Sequence, residues 1–246
     1  MSNFRPGFSS IPPVVKNLII INAIMLFATY VLSMKGIDLA KILGLHYFES
    51  PDFRPYQLVT HMFMHGGLMH LAFNMFALWM FGRVLESVWG PRRFFIYYFV
   101  TGLGAAALHT FVNFLEFQHF AGKMSPEDVQ LVMNQGAEIL NQGKNFSDVA
   151  AGKLNLLLNT PTVGASGAVF GILLGFGMLF PNTELMLLFP PIPIKAKYFV
   201  IGYGAIELFS GIANPGDNIA HFAHLGGMLF GFFMIKYWNK KTTNFY

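Results

Sequence analysis

Six apolar stretches of helix length constrain this chain more than any other feature. They fall at about residues 14–34, 68–89, 94–115, 164–180, 196–212 and 219–238. A helix of about 20 predominantly apolar residues is long enough to span the hydrocarbon core of a bilayer. Only 11% of the residues are charged, well below the roughly 25% that soluble domains average. The sequence therefore predicts an all-α, polytopic membrane protein, with one six-helix membrane domain from 14 to 238.

Shorter polar segments flank and interrupt this predicted domain. Residues 1–13 and 239–246 predict terminal tails, and residues 116–160 predict a polar insertion between the third and fourth spans. Within the insertion, Ser125-Pro126-Glu127-Asp128 predicts a helix start, with a cap, proline at the first position and acids in the first turn. The fourth and fifth spans have only about 17 residues, near the lower limit for crossing. We therefore expect both to lie inside the bundle.

Basic residues orient the predicted spans. Six spans place both ends of the chain on one side, and ten of the sixteen Lys and Arg residues fall on that side. By the positive-inside rule this side is the cytoplasm, so both tails are cytoplasmic and the insertion lies outside. We expect a multi-pass protein of a bacterial inner membrane, in contact with membrane lipid and membrane proteins. The net charge of +4 is small and does not predict nucleic acid binding.

Polar side chains from three separate stretches are predicted to share one depth near the outer face. His70 and Asn74 lie one helical turn apart at the start of the second span, Ser166 begins the fourth, and His221 and His224 begin the sixth. Ionisable groups are costly in a bilayer and usually have a function there. These five residues therefore form the candidate site.

Small residues at every fourth position form two stripes, which predict that the fourth and sixth spans pack closely. The stripes consist of Gly167, Gly171 and Gly175, and of Ala223, Gly227 and Gly231. In lipid, such grooves let two helices approach backbone to backbone. The contact would bring Ser166 beside a histidine.

A serine beside a neutral imidazole predicts nucleophilic catalysis of acyl transfer. His221 and His224 share a face of the sixth span, and either could reach Ser166. His224 is favoured, because it is in register with Gly227 and lies deeper than the preceding loop, residues 214–217. No carboxylate lies in the outer turns of the even-numbered spans. The sequence thus predicts a Ser166–His224 dyad rather than a triad.

Acyl transfer also needs donors for the negative oxygen that develops. Backbone N–H groups at the start of the fourth span are candidates, at Ser166 and Ala165, because the helix dipole favours negative charge there. The Asn74 amide and the His70 ring are side-chain candidates.

Together these residues resemble the rhomboid family of intramembrane serine proteases, over roughly residues 54–238. Gly164-Ala165-Ser166-Gly167 resembles the family's nucleophile motif, and Ala223-His224 with Gly227 and Gly231 resembles the motif around the catalytic histidine. The remaining similarities are the oxyanion pair His70 and Asn74, the preceding histidines His61 and His65, and the structural motif Gly82, Glu86 and Gly90. The resemblance implies a six-helix fold and hydrolysis of peptide bonds in or beside substrate transmembrane helices, without a cofactor.

Three features depart from the family pattern. The usual Trp-Arg pair of the first loop is replaced by Tyr56-Gln57. One turn after the serine, where some members have a tyrosine under the histidine ring, this chain has Phe170, which can stack but cannot donate a hydrogen bond. The insertion at 116–160 is also unusually long.

Three other functions are alternatives to the protease. A rhomboid-like scaffold that binds membrane helices without cutting them would be expected to lack the serine or the histidine. A bis-histidine haem or metal protein would use the many histidines but would leave Ser166 and Asn74 unexplained, and we expect no metal. A transporter would find support in Glu207 and His109, the ionisable residues inside the fifth and third spans. Cysteine is absent from the chain, which excludes disulfides, thiolate catalysis and Cys-based zinc sites.

Overall fold

The structure, a computed structural model, describes residues 11–186, 191–213 and 220–241. Its helices are α1 (Pro13–Ser33), α2 (Leu39–Leu43), α3 (Gln57–Thr60), α4 (Leu68–Ala77), α5 (Arg83–Trp89), α6 (Pro91–Ala121), α7 (Pro126–Asn141), α8 (Val149–Asn159), α9 (Ser166–Leu179), α10 (Ala196–Ala213) and α11 (His221–Lys241). A 3-10 turn follows α3 at His61–Phe63, and a π-helical turn at Leu78–Gly82 joins α4 to α5. Two short strands, β1 (Glu184–Met186) and β2 (Pro193–Lys195), pair antiparallel between α9 and α10.

The predicted apolar stretches correspond to α1, the continuous α4–α5 helix, α6, α9, α10 and α11. Three described helices are long and apolar enough to cross a membrane, Pro13–Ser33, Leu68–Trp89 and Pro91–Ala121. A helical membrane protein is therefore confirmed, while the count of six spans stays a prediction. Most of the predicted tails and the predicted loop 214–217 lie outside the described residues.

Helix α9 lies at the centre of the bundle, as predicted for a short glycine-rich span. Nine of its fourteen residues are buried, and it packs against both α6 and α11. The same prediction is wrong for α10, which exposes large apolar side chains such as Ile201 and Phe209. Length alone did not distinguish the two helices, because an apolar helix at the edge of a bundle faces lipid at no cost.

The two glycine stripes meet at one level only. A Cβ atom at Gly227 would fall on the carbonyl group of Gly167, so α9 and α11 touch backbone to backbone there. Deeper in the bundle, Gly171 and Gly231 both face α6, where the Tyr97 hydroxyl donates to the Gly171 carbonyl at 2.7 Å. The predicted contact between α9 and α11 is therefore confirmed at the level of Ser166. Deeper in the bundle, the glycines of both helices pack against α6 instead.

The loop between α1 and α4 is organised around one buried side chain, Gln57. Its carboxamide oxygen accepts the backbone N–H of Arg54 at 3.0 Å and of His46 at 3.4 Å. Its nitrogen donates to the carbonyls of Asp52 and Ile42 at 3.0 and 3.1 Å. The departure from the family's Trp-Arg pair thus leaves the loop well anchored.

The polar insertion folds as a helical hairpin on an extended α6. Helix α7 begins at Pro126, and the Ser125 hydroxyl accepts the backbone N–H of Asp128 at 3.1 Å, which confirms the predicted helix start. Helix α6 runs six residues beyond its predicted end at Leu115, to Ala121, and α8 packs against it. A separate apolar cluster holds this part together, formed by Tyr47, Phe117, Val132, Ala151, Leu154 and Leu158.

Glu86 joins the end of α5 to the start of α1. Its buried carboxylate accepts the backbone N–H groups of Val14 and Val15 at 3.0 and 2.8 Å. These N–H groups belong to the first turn of α1, which has no acceptor of its own. Gly82 packs against Val15 one turn earlier, and Gly90, with a φ of 77°, ends α5. Glu86 and Gly82 therefore position α1, and Gly90 ends the helix that carries them.

We expect Glu86→Ala to lower the stability of the fold and to leave the reaction rate of the folded protein unchanged. Each N–H group left without an acceptor costs about 1–3 kcal/mol, so the melting temperature in detergent should fall clearly. The fraction that stays folded should keep its reaction rate, since Glu86 lies about three turns from Asn74 along the helix. Thermal melts and rates per folded molecule measure the two effects separately. A stable but inactive Glu86→Ala protein would contradict this interpretation.

Candidate functional site

A cavity of about 1060 Å³ reaches the start of α9 and α11. Residues of α4, α6, α8, α9, α10 and α11 contribute to its walls. All five polar residues that the sequence placed at one depth line it, namely His70, Asn74, Ser166, His221 and His224. The structure therefore brings together side chains from three separate parts of the chain.

The segment that leads into Ser166 is held in place by the first loop. Leu45 and Thr162 exchange backbone hydrogen bonds of 2.9 and 2.8 Å. The Gly164 N–H donates to the His61 carbonyl at 3.0 Å. These three backbone hydrogen bonds tie the segment to the first loop, so Ser166 begins α9 at a defined position.

Gly164 allows the backbone just before the serine to pass close to His70. Its φ of 136° is a conformation that other residues rarely adopt. A Cβ atom there would lie 3.0 Å from the His70 ring and 3.4 Å from the Ser166 Oγ atom. The His70 ring therefore lies against the backbone that leads into Ser166.

Ser166 contacts one of the two candidate histidines. Its Oγ atom lies 2.9 Å from Nε2 of His224. Phe170, one turn after the serine, stacks on the His224 ring with centroids 4.2 Å apart and planes 3° from parallel. The predicted stacking is thus present. The contacts described for His221 include no bond to Ser166, and its Nδ1 atom instead faces α10.

A carboxylate on α10 completes this group of side chains. Glu207 is buried, and its Oε2 atom lies 2.9 Å from Nδ1 of His224 and 2.6 Å from Nδ1 of His221. The expectation that no carboxylate reaches the histidine is therefore wrong. It considered only the even-numbered spans, whereas Glu207 lies on an odd one. A single acid inside an apolar span, followed after a short connection by two histidines, was the signal that could have found it.

The predicted side-chain donors His70 and Asn74 line the same cavity as Ser166 and have defined hydrogen bonds. The buried Asn74 amide donates to the His70 carbonyl at 2.9 Å. Nδ1 of His70 accepts the Gly66 N–H at 3.3 Å, so its proton is on Nε2, the ring edge that faces Gly164. Ala165 is fully buried and caps α9, which leaves N–H groups of the first turn without partners inside the helix.

The two earlier histidines, His61 and His65, are buried and have no described hydrogen bond to the serine. His61 shares a 2.8 Å hydrogen bond between Nδ1 and the Gln57 carbonyl, and the His65 ring lies edge-on to His70, with centroids 5.0 Å apart. Burial lowers the pKa of His61 to about 4, and burial with a smaller effect of His70 lowers the pKa of His65 to about 4. Both rings are therefore neutral at pH 7.

Glu207, His221 and His224 also resemble a metal-binding group by composition. Their candidate ligand atoms all lie within 4.8 Å of one another, and zinc uses these residue types. However, the separations of 2.6 and 2.9 Å between Nδ1 and Oε2 are hydrogen-bond distances. An Nδ1 atom that donates a proton to the carboxylate cannot at the same time ligate a metal. The contacts of this cluster are those of a hydrogen-bonded network.

The fold and the site together define a class: an integral membrane protein of packed helices, in which a serine and a histidine meet beside a cavity. A model of the rhomboid domain matches residues 52–126 and 129–240. The chain therefore belongs to the rhomboid family, as its motifs indicated.

Curated relatives are similar over much of the chain. They include Rhomboid protein 1, mitochondrial, of Saccharomyces cerevisiae, 28% identical over 71% of this chain and 39% of its own length. RHOMBOID-like protein 12, mitochondrial, of Arabidopsis thaliana is 28% identical over 87% of this chain and 55% of its own. The presenilin-associated rhomboid-like protein, mitochondrial, of Homo sapiens is 25% identical over 73% and 37%. The alignments thus cover about half or less of these relatives. All three names specify mitochondria and do not support the expectation of a bacterial inner membrane.

Proposed function

We propose that this chain is an intramembrane serine endopeptidase in which Ser166 is the nucleophile and His224 the general base. The observation that carries the proposal is the 2.9 Å contact between Oγ and Nε2 in a cavity lined by six helices. A hydroxyl at that distance from an imidazole lone pair has the arrangement that nucleophilic catalysis needs. A scaffold that only binds membrane helices has no use for it.

The reaction follows from these two side chains. The Ser166 hydroxyl proton moves to Nε2 of His224 while Oγ attacks the carbonyl carbon of the peptide bond. The C–N bond of the tetrahedral intermediate then breaks, and His224 gives the proton to the leaving amine. Water, deprotonated by the same Nε2 atom, hydrolyses the remaining Ser166 ester and restores the enzyme.

Asn74, His70 and the N–H groups of Ser166 and Ala165 serve the negative oxygen of this intermediate. They come from the two helix starts that flank the cavity, α4 and α9. Fixed donors of this kind act where water is excluded, so they do not need to reorganise during the reaction.

We expect Asn74→Ala to slow cleavage by about 10²–10³, the usual effect of removing one oxyanion donor. Ser166 should still react slowly with a fluorophosphonate. Asn22→Ala is the matched control, because the buried Asn22 also donates to the carbonyl four residues earlier, at 2.7 Å, but lies on α1. The control should affect stability only. Full activity in Asn74→Ala would return Asn74 to a purely structural role.

The proposed architecture is a single membrane domain, 14–238, with six spans, cytoplasmic tails at 1–13 and 239–246, and the insertion 116–160 outside. The family acts on membrane proteins. In lipid, an exposed carbonyl costs several kcal/mol, so we expect substrates whose helix is weakened by glycine or proline near the cut. The cut should fall in the outer part of the substrate helix, where water enters.

A two-part experiment tests this function. The full chain in detergent is treated with a fluorophosphonate, and the modified peptide is identified by mass spectrometry. The same protein in liposomes is then given a single-span reporter with a Gly-Pro pair in the outer third of its helix. We expect an adduct on Ser166 and a cut near the pair. No adduct and no cut would favour the scaffold, and a cut at the cytoplasmic end would refute the proposed topology.

A further inference from the structure

Glu207 is the one acidic residue of α10, and its carboxylate is directed at the histidine that contacts the serine. Its Oε2 atom lies 2.9 Å from Nδ1 of His224, whose Nε2 atom lies 2.9 Å from the Ser166 Oγ atom. We propose that Glu207 is a positioning residue that holds His224 in the tautomer and orientation needed to act as base. This inference rests on the proposed function and extends the dyad by a third residue.

The carboxylate fixes the tautomer of His224. An ionised carboxylate can only accept hydrogen bonds, so a 2.9 Å contact with Nδ1 requires the ring proton to be on Nδ1. Nε2 then presents a lone pair to the Ser166 hydroxyl. The other tautomer would point an N–H group at the serine and could not take its proton. Glu207 therefore selects the reactive form.

The ring is held on three sides. Nδ1 is bonded to Glu207, Nε2 contacts Ser166, and Phe170 covers one face in a parallel stack. Phe170 has no hydroxyl with which to direct the ring, so stacking alone does not distinguish the ring from its 180° flip about the Cβ–Cγ bond. The bond between Nδ1 and Glu207 selects one of these two orientations. When the ring takes the serine proton, the same carboxylate faces the positive charge.

His221 holds Glu207 itself in place. Its Nδ1 atom lies 2.6 Å from the oxygen that also contacts His224, so one carboxylate oxygen accepts from two rings. The two rings lie nearly perpendicular, at 88°, and approach that oxygen from different directions. A glutamate side chain in this position has little freedom to change rotamer. This assigns a supporting role to the second histidine.

The surroundings of Glu207 argue for a function. The neighbouring α10 side chains Ile206 and Leu208 are exposed and apolar, as expected for a helix that faces lipid. A carboxylate is costly in such a helix and is retained when it is paired or functional. The bonds from Glu207 to the two histidines could also serve only to hold α10 against α11. The test therefore has to separate this anchoring role from an effect on the reaction.

The test compares Glu207→Gln with the wild-type full chain in liposomes. The amide keeps the size of the side chain but removes the charge and adds a donor. We expect kcat for the single-span reporter to fall by about 10²–10³, within the range attributed to general base catalysis, with KM changed less than about threefold. Glu138→Gln is the control, since Glu138 is an exposed acid on α7. It should behave as the wild type.

A spectroscopic measurement accompanies the rates. In protein labelled with ¹⁵N-histidine, the His224 nitrogens of the wild type should report an Nδ1–H tautomer, and Glu207→Gln should lose that preference. A mere anchor would change the folded fraction but neither the tautomer nor kcat per folded molecule. Wild-type kcat in folded Glu207→Gln, or a loss carried by KM alone, would overturn the proposal.

Two further outcomes can be distinguished from these: a Glu207→Gln variant that does not fold, and a wild type that does not cleave. If Glu207→Gln fails to fold, Glu207→Asp takes its place, because its carboxylate is one methylene farther from His224. We expect an intermediate kcat, and a wild-type kcat in that variant would also overturn the proposal. Absence of Ser166-dependent cleavage in the wild type would instead reject the protease function itself, so the two failures are distinguishable.

Discussion

Ser166→Ala should yield a folded protein that cuts no substrate. The substitution removes the only oxygen that contacts Nε2 of His224 among the described contacts, and loss of a catalytic serine lowers kcat on the order of 10⁶. Packing should hardly change, because alanine keeps the Cβ atom and the side chain borders a cavity. Cleavage of the reporter, fluorophosphonate labelling and thermal melting measure the three expectations.

Ser87→Ala is the matched control for this prediction. Ser87 is exposed on α5, and its hydroxyl donates to the Arg83 carbonyl four residues earlier at 2.8 Å. This is the ordinary arrangement of a helical serine. The control should therefore cut and label as the wild type does. Appreciable cleavage by purified Ser166→Ala would end the hypothesis that Ser166 is the nucleophile.

His224→Ala should abolish both cleavage and labelling, whereas His221→Ala should keep measurable activity. Among the described residues, only the His224 ring is hydrogen-bonded to Ser166, and a serine without a base is a weak nucleophile at neutral pH. His221→Ala removes one of the two donors to Glu207 but leaves the 2.9 Å bonds on both nitrogens of His224. Initial rates at matched amounts of folded protein compare the two variants.

The opposite pattern would assign the base to His221. It would require α11 to rotate by about 60°, because at about 100° per residue two side chains three residues apart point about 60° apart around the helix. Such a rotation would also break the stack between Phe170 and His224. Rates of Phe170→Leu therefore provide an independent check on the same register.

Local patterns in the sequence were sufficient for the membrane helices and for the serine–histidine pair. Hydropathy placed the helices within a few residues. A helix that faces lipid is recognised by its own length and apolar composition, without knowledge of the helices that pack against it. Spacing placed Gly227 against Gly167, since close approach of two backbones requires small residues at every fourth position. These features can be predicted because each depends on residue patterns that are local to a single helix.

Features that depend on partners distant in sequence could not be predicted. Glu207 appeared as a single acid in the fifth span, and only the packing of α10 on α11 shows that it faces two histidines. Gln57 looked like a departure from a family pattern, yet its four hydrogen bonds organise the first loop. The end of α6 was also missed, because Glu116, Gln118 and His119 interrupt the apolar pattern, while Phe117 packs in the apolar cluster with α7 and α8.

The backbone contact between Gly167 and Gly227 has a consequence for conformational entropy. An interface of long side chains must freeze several torsions at about 0.5–2 kcal/mol for each rotamer-rich side chain. The contact between the backbones of Gly167 and Gly227 has no side-chain torsions to freeze. The backbone separation of Ser166 and His224, one and three residues from these glycines, therefore depends on the packed helices and not on side-chain torsions at the contact. The distance between their Cα atoms should accordingly stay narrow until the whole bundle melts.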